Sequence, residues 1–278
     1  MKTRVDALSD ANLGCIAEMI KADAGIALSP SKASLVHSRL SKRVRNLQLS
    51  GFDEYCEYVQ SAAGSAERRE MLSALTTNVT SFFRESHHFD ELREHVLPPL
   101  IASARAGGRV RIWSAGCSTG EEAYSICLTL LSMLPNAHSF DIRILATDID
   151  PNVLATARTA SYPTEALARA PADLVEKYFE PDHDKGSPTL CAESALRQLI
   201  SFKELNLIAP WPFTGPFDVI FCRNVIIYFD ADTQAKLMAK FAAVMKPGSR
   251  LFLGHSERIS STSANLFRRG GLTTYSRI

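Results

Sequence analysis

The segment of this sequence best suited to hold a ligand is a run of small residues between a predicted strand and a predicted helix. Residues 110–113 alternate in the manner of a strand, and apolar residues recur at helical spacing after Glu121. Gly116 and Gly120 lie between them, where a glycine loop lets the backbone approach a ligand at a helix N-terminus. Glu121 stands where a P-loop carries its phosphate-binding lysine, and with Glu122 it would repel a pyrophosphate. The loop therefore favours a ligand with an adenosine, an amino acid group and no phosphate, which is the description of S-adenosylmethionine.

A carboxylate suited to bind a ribose follows the next predicted strand. The apolar run 141–147 is followed by Asp148, and Asp150 then caps a helix that has proline in its first turn. A carboxylate that closes the second strand of a doubly wound unit can accept hydrogen bonds from both ribose hydroxyls. The alternative is that Asp148 only caps the turn, and this residue on its own favours neither.

Polar residues also follow two later strands. Arg223 and Asn224 come after the near-continuously apolar run 217–222, which is typical of a buried parallel strand. Asn206 comes after a short strand at 199–202, where a side-chain amide can read the edge of an adenine. Because ligands of open parallel sheets bind at the carboxyl ends of the strands, we expect these residues at the same site.

Residues 76–90 are polar and aromatic without a regular period, and this predicts a functional connector rather than a core helix. Arg84 offers a planar guanidinium suited to a carboxylate, and the alternative is that it pairs with a neighbouring acidic residue. His87 and His88 are adjacent, so their side chains would face different ways on a helix, and no acid or cysteine stands at a convincing metal-ligand spacing. We predict that both histidines are structural.

About the first 77 residues have the apolar spacing of a small helical bundle, and Leu72, Leu75 and Val79 mark its fourth helix. Its second helix is strongly basic, and no acid interrupts residues 32–45. The basic face is either a solvated surface or a docking surface for an acidic protein, and the charge pattern alone favours neither. A nucleic-acid surface is disfavoured because no aromatic side chains are interleaved with the charges.

Composition excludes several classes of protein. The 278 residues carry a net charge of +1, so no general attraction to nucleic acid or membranes is implied. The sequence has no apolar run of about 18 residues and begins without the apolar segment of a signal peptide. Its six cysteines form no C-x-x-C pair, which favours reduced thiols over a zinc site or disulfides. We therefore expect a cytoplasmic protein, and nothing in the sequence calls for more than a monomer.

Five stretches resemble the chemotaxis receptor methyltransferases, the CheR family. In chain order they are TNVTSFFRESHHF (77–89), RIWSAGCSTGEEAYSI (111–126), ATDID (146–150), FDVIFCRNVIIYFD (217–230) and KPGSRLFLGHSE (246–257). They run through the whole second part of the chain, and a helical N-terminal domain with a basic second helix also matches the family. The resemblance therefore rests on several separated motifs and not on the glycine loop alone.

The resemblance implies an α/β fold, a doubly wound S-adenosylmethionine-dependent methyltransferase domain that an all-α domain precedes. It divides the chain into a receptor-recognition domain at 1–77, a linker at 78–92 that contributes to the cofactor site, and the methyltransferase domain at 93–278. A small β-subdomain is expected as an insertion at about 161–197, where prolines and the turn-forming run 181–189 interrupt the pattern. In some members this subdomain binds a receptor pentapeptide, and the sequence leaves open whether it does so here.

The implied reaction is methyl transfer from S-adenosylmethionine to glutamate side chains on chemoreceptor (methyl-accepting chemotaxis protein) helices, giving methyl esters in chemotaxis adaptation. Besides Gly116, the implied cofactor contacts are Asn78, Thr80, Arg84, Glu122, Asp148, Asn206, Leu207, Arg223 and Asn224. Arg84 matches the family's essential arginine and Tyr228 its tyrosine near the transferred methyl group, so both are expected to be catalytic. The family's recognition helix implies receptor contacts at Arg39, Lys42, Arg43 and Arg45. The receptors and glutamates that are modified are not identified by the sequence, nor is any regulatory ligand.

The expected chemistry needs no general base, because a glutamate with a reference pKa of ~4.3 is already an anion at neutral pH. Catalysis would come from alignment and desolvation, with Arg84 on the cofactor's carboxylate and Tyr228 orienting the acceptor. Tyr228 could alternatively be a core aromatic. A methyltransferase for amines or nucleic acids is disfavoured because residues 223–228 contain none of the prolines of the usual Asn/Asp-Pro-Pro-Tyr loop. The second alternative is a module that binds the cofactor and docks to receptors without transferring methyl.

Overall fold

The computed structural model describes residues 7–182 and 188–278. The chain forms two compact units: one comprises the residues up to Thr77 together with Tyr228–Thr233, and the other comprises Asn78–Ile227 and Gln234–Ile278. In the described part of the chain, no helix is long and apolar enough to cross a membrane. All six cysteines are free thiols.

Within the described residues 7–77, the N-terminal unit is a bundle of four α-helices, as predicted. They are α1 (Asp10–Ala24), α2 (Ala33–Asn46), α3 (Phe52–Gln60) and α4 (Ser65–Leu75). Ser9 caps α1 by accepting a hydrogen bond from the Asn12 backbone N–H (3.1 Å), and Gly25 ends the helix in the left-handed conformation (φ 73°). The apolar stripes of the helices, which include Ile16 and Val36, form one core. The fourth helix stops earlier than its apolar spacing predicted, because Val79 lies beyond it and is 76% exposed.

The second unit contains the remaining helices and all the strands. The helices are α5 (His87–Glu91), α6 (Leu97–Arg105), α7 (Glu121–Met133), α8 (Pro151–Thr159), α9 (Ala172–Tyr178) and α10 (Ser194–Arg197), and α11 (Ala231–Ala243) begins in the short N-terminal-unit segment. The strands are β1 (Val110–Ala115), β2 (Ile142–Asp148), β3 (Ser161–Pro163), β4 (Phe179–Pro181), β5 (Thr189–Ala192), β6 (Ile200–Glu204), β7 (Phe217–Cys222), β8 (Met245–Leu253), β9 (Phe267–Arg269) and β10 (Thr274–Arg277).

The main sheet has the strand order β6-β2-β1-β7-β8-β10-β9. Its first five strands are parallel, and β10 runs antiparallel to both β8 and β9. In each of the central strands β1 and β7, five of six residues are buried, as in a sheet that is covered on both faces. The doubly wound fold predicted from the sequence is therefore confirmed.

The far side of this sheet is built from the end of the chain. Helix α11 ends at Ala243, and Lys246–Gly248 already belong to β8. The terminal strand β10 lies inside the sheet, because β9 forms the edge beyond it.

The predicted insertion is a separate sheet. Strands β3, β5 and β4 pair antiparallel in that order, and α9 lies between β3 and β4 in the chain. The turn predicted at 181–189 falls largely on residues 183–187, which lie outside the described residues.

Candidate functional site

The carboxyl ends of the four central parallel strands meet at one edge of the sheet, and the predicted residues follow directly from that topology. Gly116 comes after β1, Asp148 ends β2, Arg223 comes after β7, and Gly254 comes after β8. This edge is where open parallel sheets bind their ligands.

Two glycines of the loop after β1 have backbones that other residues rarely adopt. Gly120 has φ +99°, and a Cβ there would lie 2.8 Å from Tyr162 Oη. Gly116 has φ +86°, and a Cβ there would lie 2.4 Å from Val225 Cγ2, so a larger residue requires Val225 to shift. The loop thus passes closely over neighbouring segments, which is the role that glycine performs in such turns.

Asp148 is a buried carboxylate held by backbone donors. Its Oδ2 accepts from Ser118 N–H (2.8 Å) and its Oδ1 from Asp150 N–H (3.0 Å). Burial raises the pKa of Asp148, and these backbone hydrogen bonds oppose the rise. Asn78 joins the same group, because its side-chain amide donates to Asp150 Oδ2 (2.9 Å) and its carbonyl accepts from Ser118 Oγ (2.8 Å). The structure therefore brings Asn78 and Asp148 together, and Asp148 serves the turn whether or not it also binds a ribose.

Arg223 lies between two carboxylates, and its side chain is only 2% exposed. Its Nη1 is 3.1 Å from Glu122 Oε2, its Nη2 is 3.2 Å from Glu85 Oε2, and Nη2 also donates to the Arg84 carbonyl. The second oxygen of Glu122 accepts from Ser114 Oγ (2.7 Å). Burial raises the pKa of Glu122, while Arg223 opposes the rise. With both carboxylates ionised, the three side chains carry a net charge of −1.

Glu85 is the centre of this cluster, and the sequence analysis did not single it out. Burial alone would raise its pKa, but the Arg223 guanidinium and a hydrogen bond from His255 lower the pKa of Glu85 to about 2. His255 Nδ1 lies 3.0 Å from Glu85 Oε1, and Asn224 Nδ2 lies 3.5 Å from the same oxygen. His88 Nδ1 lies 3.5 Å from Oε2.

The surroundings of the two adjacent histidines disfavour a metal ion. Glu85, His87 and His88 offer ligand atoms that all lie within 4.8 Å of one another. The Arg223 guanidinium, whose Nη2 is 3.2 Å from Glu85 Oε2, would oppose a cation. His88 is completely buried, its Nε2 is 2.8 Å from Thr273 Oγ1, and burial lowers its pKa to about 3. This environment favours a neutral, structural histidine.

Backbone strain is concentrated at the same place. Among the described residues, seven that are not glycine have positive φ, and four of these belong to the site segments: Phe83 (49°), Glu85 (56°), Ser118 (50°) and Asn224 (59°). Such conformations cost about 1–3 kcal/mol each and persist where the surroundings fix them, which is typical of binding and catalytic segments.

A second carboxylate that the sequence analysis missed fixes the segment after β7. Glu257 is 2% exposed and accepts backbone hydrogen bonds from Gly254 (2.6 Å), Asn224 (2.8 Å) and Ile227 (3.2 Å). Burial raises the pKa of Glu257, and the backbone donors oppose the rise. A single acidic residue forms no periodic pattern in a sequence, so only its position in the fold reveals its role.

The remaining predicted cofactor residues occupy loops of the second unit. Arg84 Nη1 donates to the Val79 carbonyl (2.8 Å), and among the described residues its guanidinium makes no ion pair, so the alternative of a local pair is not observed. Thr80 is half-buried in the same connector. The Leu207 carbonyl accepts from Lys240 Nζ (2.6 Å), and Asn206 Oδ1 accepts from a backbone N–H two residues on (3.1 Å).

Tyr228 belongs to the N-terminal unit, where its carbonyl accepts from Ala27 N–H (2.8 Å). Its catalytic role, like that of Arg84, stays a prediction.

The predicted receptor-binding residues of α2 fall into two pairs. Arg39 donates to the Thr76 carbonyl (2.6 Å), and Arg43 makes a bidentate ion pair with the buried Glu67 (2.5 and 2.8 Å). The hydrogen bond to Glu67 raises the pKa of Arg43. Lys42 and Arg45 are exposed. Part of the basic face is thus used inside the bundle, and the other part faces solvent.

Comparison with known proteins gives matches along almost the whole chain. A family model described as CheR methyltransferase, SAM binding domain, matches residues 78–276, and one described as CheR methyltransferase, all-alpha domain, matches residues 11–76. A probable chemotaxis protein methyltransferase of Rhizobium etli is 55% identical over 92% of this chain and 96% of that protein. Chemotaxis protein methyltransferase 2 of Pseudomonas aeruginosa is 43% identical over 91% of this chain and 88% of that protein. The chemotaxis protein methyltransferase of Escherichia coli is 39% identical over 95% of this chain and 90% of that protein.

Proposed function

The chain belongs to the CheR methyltransferase family, which makes it an S-adenosylmethionine-dependent methyltransferase of chemotaxis, and we propose that it methylates glutamate side chains on the cytoplasmic helices of chemoreceptors. The product is a glutamate methyl ester. The observation that carries the proposal is the cluster of Glu85, Glu122 and Arg223 at the carboxyl edge of the sheet, whose side chains are only 2–12% exposed.

The charge of this cluster suits the cofactor. S-adenosylmethionine carries a sulfonium, an ammonium and a carboxylate, so its net charge is +1, opposite to the −1 of the three buried side chains. When bound, it supplies an electrophilic methyl group. Glu122 would accept hydrogen bonds from its ammonium group, Asp148 from its ribose hydroxyls, and Arg84 would pair with its carboxylate.

Smaller contacts would complete the cofactor site. The glycine loop at Gly116 allows close approach, and the other residues would line the cavity around the cofactor. These residues are Asn78, Thr80, Asn206, Leu207, Arg223 and Asn224. The strained, hydrogen-bonded backbone around them supports this proposal, because a fixed cradle loses little freedom on binding.

The acceptor requires positioning rather than activation. A glutamate carboxylate is an anion at neutral pH, so the protein has to desolvate it and align its oxygen with the methyl group. We assign this positioning to Tyr228, and we assign receptor contacts in the N-terminal unit to Lys42 and Arg45. Arg39 and Arg43 would contribute less to docking, because their guanidinium groups are engaged within the bundle.

Methyl transfer to a receptor signalling domain tests the proposal. The protein is incubated with S-adenosylmethionine labelled on the methyl group, and the product is treated with mild base to release volatile methanol. We expect base-labile label that is lost in Arg84→Ala and retained in Arg93→Ala, a control at a half-exposed arginine of the neighbouring helical segment. Label that resists base would instead indicate an amine acceptor. Cofactor binding without transfer would indicate a docking module, which the methyltransferase relatives disfavour.

A further inference from the structure

His255 stands at the carboxyl edge of the sheet with one side of its ring held and the other free. It is the second residue after β8, and its side chain is 67% exposed. Its Nδ1 lies 3.0 Å from Glu85 Oε1. In the part of the chain that the structure describes, its Nε2 makes no hydrogen bond.

The partner of Nδ1 determines which ring nitrogen carries the first proton. Glu85 has a pKa of about 2 and is therefore a carboxylate at neutral pH, able only to accept. His255 Nδ1 must then be the donor, in the neutral and in the protonated ring alike. Nε2 lies on the opposite side of the ring from Glu85, and this atom alone is left to meet another molecule.

An incoming carboxylate finds no unpaired positive charge in this cluster. Glu85, Glu122 and Arg223 together carry −1, which the +1 of the bound cofactor offsets, so a glutamate side chain adds a negative charge that nothing in the cluster compensates. A ring that carries a proton on both nitrogens has a second N–H donor, on the exposed side, and that donor can bind a carboxylate. Asn224 Nδ2, 3.5 Å from the same Glu85 oxygen, marks how close His255 is to the cofactor residues after β7.

We propose that His255 contacts the substrate, binding the carboxylate of the acceptor glutamate through Nε2–H while Glu85 orients the ring. This inference rests on the proposed function, because it takes a glutamate carboxylate as the acceptor. It assigns Glu85 as a positioning residue and His255 as part of the acceptor site.

Two amide substitutions separate substrate contact from a purely structural role. The shorter amide in His255→Asn places its nitrogen close to the position of Nδ1, so this variant keeps the bond to Glu85 and loses the outer donor. The longer side chain in His255→Gln reaches the position of Nε2 and keeps an outer donor. His95→Asn is the matched control, since His95 is 63% exposed and also lies beside a glutamate, with Nε2 4.0 Å from Glu91.

The assay measures kcat and KM for a receptor signalling domain, together with cofactor affinity by calorimetry. We expect His255→Asn to raise KM for the receptor by about 10-fold or more, with cofactor affinity within about 2-fold of wild type, because a hydrogen bond to a charged group is lost (about 10-fold per 1.4 kcal/mol). His255→Gln should recover part of the loss, because it restores the outer donor without a positive charge, and His95→Asn should match wild type. The reverse order, with His255→Asn active and His255→Gln impaired, would mean that His255 serves only Glu85 and would overturn the inference. A wild-type protein that transfers no methyl to receptors would instead overturn the proposed function, and the inference with it.

Discussion

Replacing Glu257 by glutamine should destabilise the second unit of the chain, hereafter the C-terminal unit, although the side chain keeps its size. The carboxylate accepts from three backbone N–H groups, two of them at Oε2 (Gly254 at 2.6 Å and Asn224 at 2.8 Å) and one at Oε1 (Ile227 at 3.2 Å). The better amide rotamer keeps its oxygen at the two shorter bonds and turns its NH₂ toward the Ile227 N–H. One buried donor then loses its acceptor, at about 1–3 kcal/mol, and two charged hydrogen bonds become neutral ones, at about 1 kcal/mol each. Removal of a buried charge offsets part of this cost, so we expect a net loss of about 2–4 kcal/mol.

Tryptophan fluorescence during urea unfolding measures this loss selectively. The chain has two tryptophans, Trp113 and Trp211, and both belong to the C-terminal unit, where their rings are 4.8 Å apart. Glu94→Gln, at a side chain that is 56% exposed, is the control and should change the unfolding free energy by less than about 0.5 kcal/mol. The variant Glu257→Gln should also bind S-adenosylmethionine more weakly, since loss of the bond to Ile227 N–H loosens the segment that begins with Asn224. If Glu257→Gln unfolds within about 0.5 kcal/mol of the control, the carboxylate does not hold the segment and the reasoning fails.

Three further predictions concern a buried ion pair, a buried histidine and a strained glycine. Arg43→Ala should destabilise the helical bundle by about 3 kcal/mol in thermal unfolding, because the buried Glu67 carboxylate loses its ion pair and keeps the hydrogen bond from Tyr55 Oη (2.8 Å). Arg45→Ala should leave stability unchanged and raise KM for the receptor. Equal stability of both variants would contradict the buried pair. His88 has a pKa of 6.5 in the unfolded chain and of about 3 in the native protein, so the unfolded chain binds its proton first on acidification. Stability should therefore fall between pH 6.5 and pH 3 by up to about 1.4 kcal/mol per pH unit. Urea unfolding at several pH values should show a weaker dependence of stability on pH for His88→Gln. Gly120→Ala should lower the free energy of unfolding by about 2 kcal/mol or more, measured by tryptophan fluorescence. The reason is that the backbone at this position has φ +99° and a Cβ would lie 2.8 Å from Tyr162 Oη. An unchanged free energy of unfolding would show that the loop relaxes freely.

Residues at the ends of strands could be predicted from the sequence because chain order and parallel topology fix where they go. Once four parallel strands are recognised, Asp148 and Arg223 must lie at one edge, and the structure puts them there. Helix existence was also predictable from apolar spacing, although the end of α4 was not, since Val79 continues the period beyond the last helical residue.

The partners of charged side chains could not be predicted in this way. Glu85 meets His255 across 170 positions of sequence, and Glu257 meets Asn224 across 33. No period or local spacing relates such pairs, because their contact depends on how two loops approach after the sheet has formed. For the same reason the sequence showed a uniformly basic α2, whereas Arg43 is in fact neutralised by Glu67, 24 positions away.

The strand order has a consequence for how this sheet is completed during protein synthesis. Strands β1 to β8 contain the whole parallel part of the sheet, and all of it has been translated by Leu253. The free side of β8 remains unpaired until Thr274–Arg277 have been translated, because its partner there is β10. The earlier strand β9 pairs with β10 and not with β8. During that interval the nascent chain displays an unpaired strand edge, which is the feature through which β-proteins associate wrongly. A chain interrupted before Thr274 would keep this edge permanently, so translation errors late in the message should yield aggregates rather than a merely shortened enzyme.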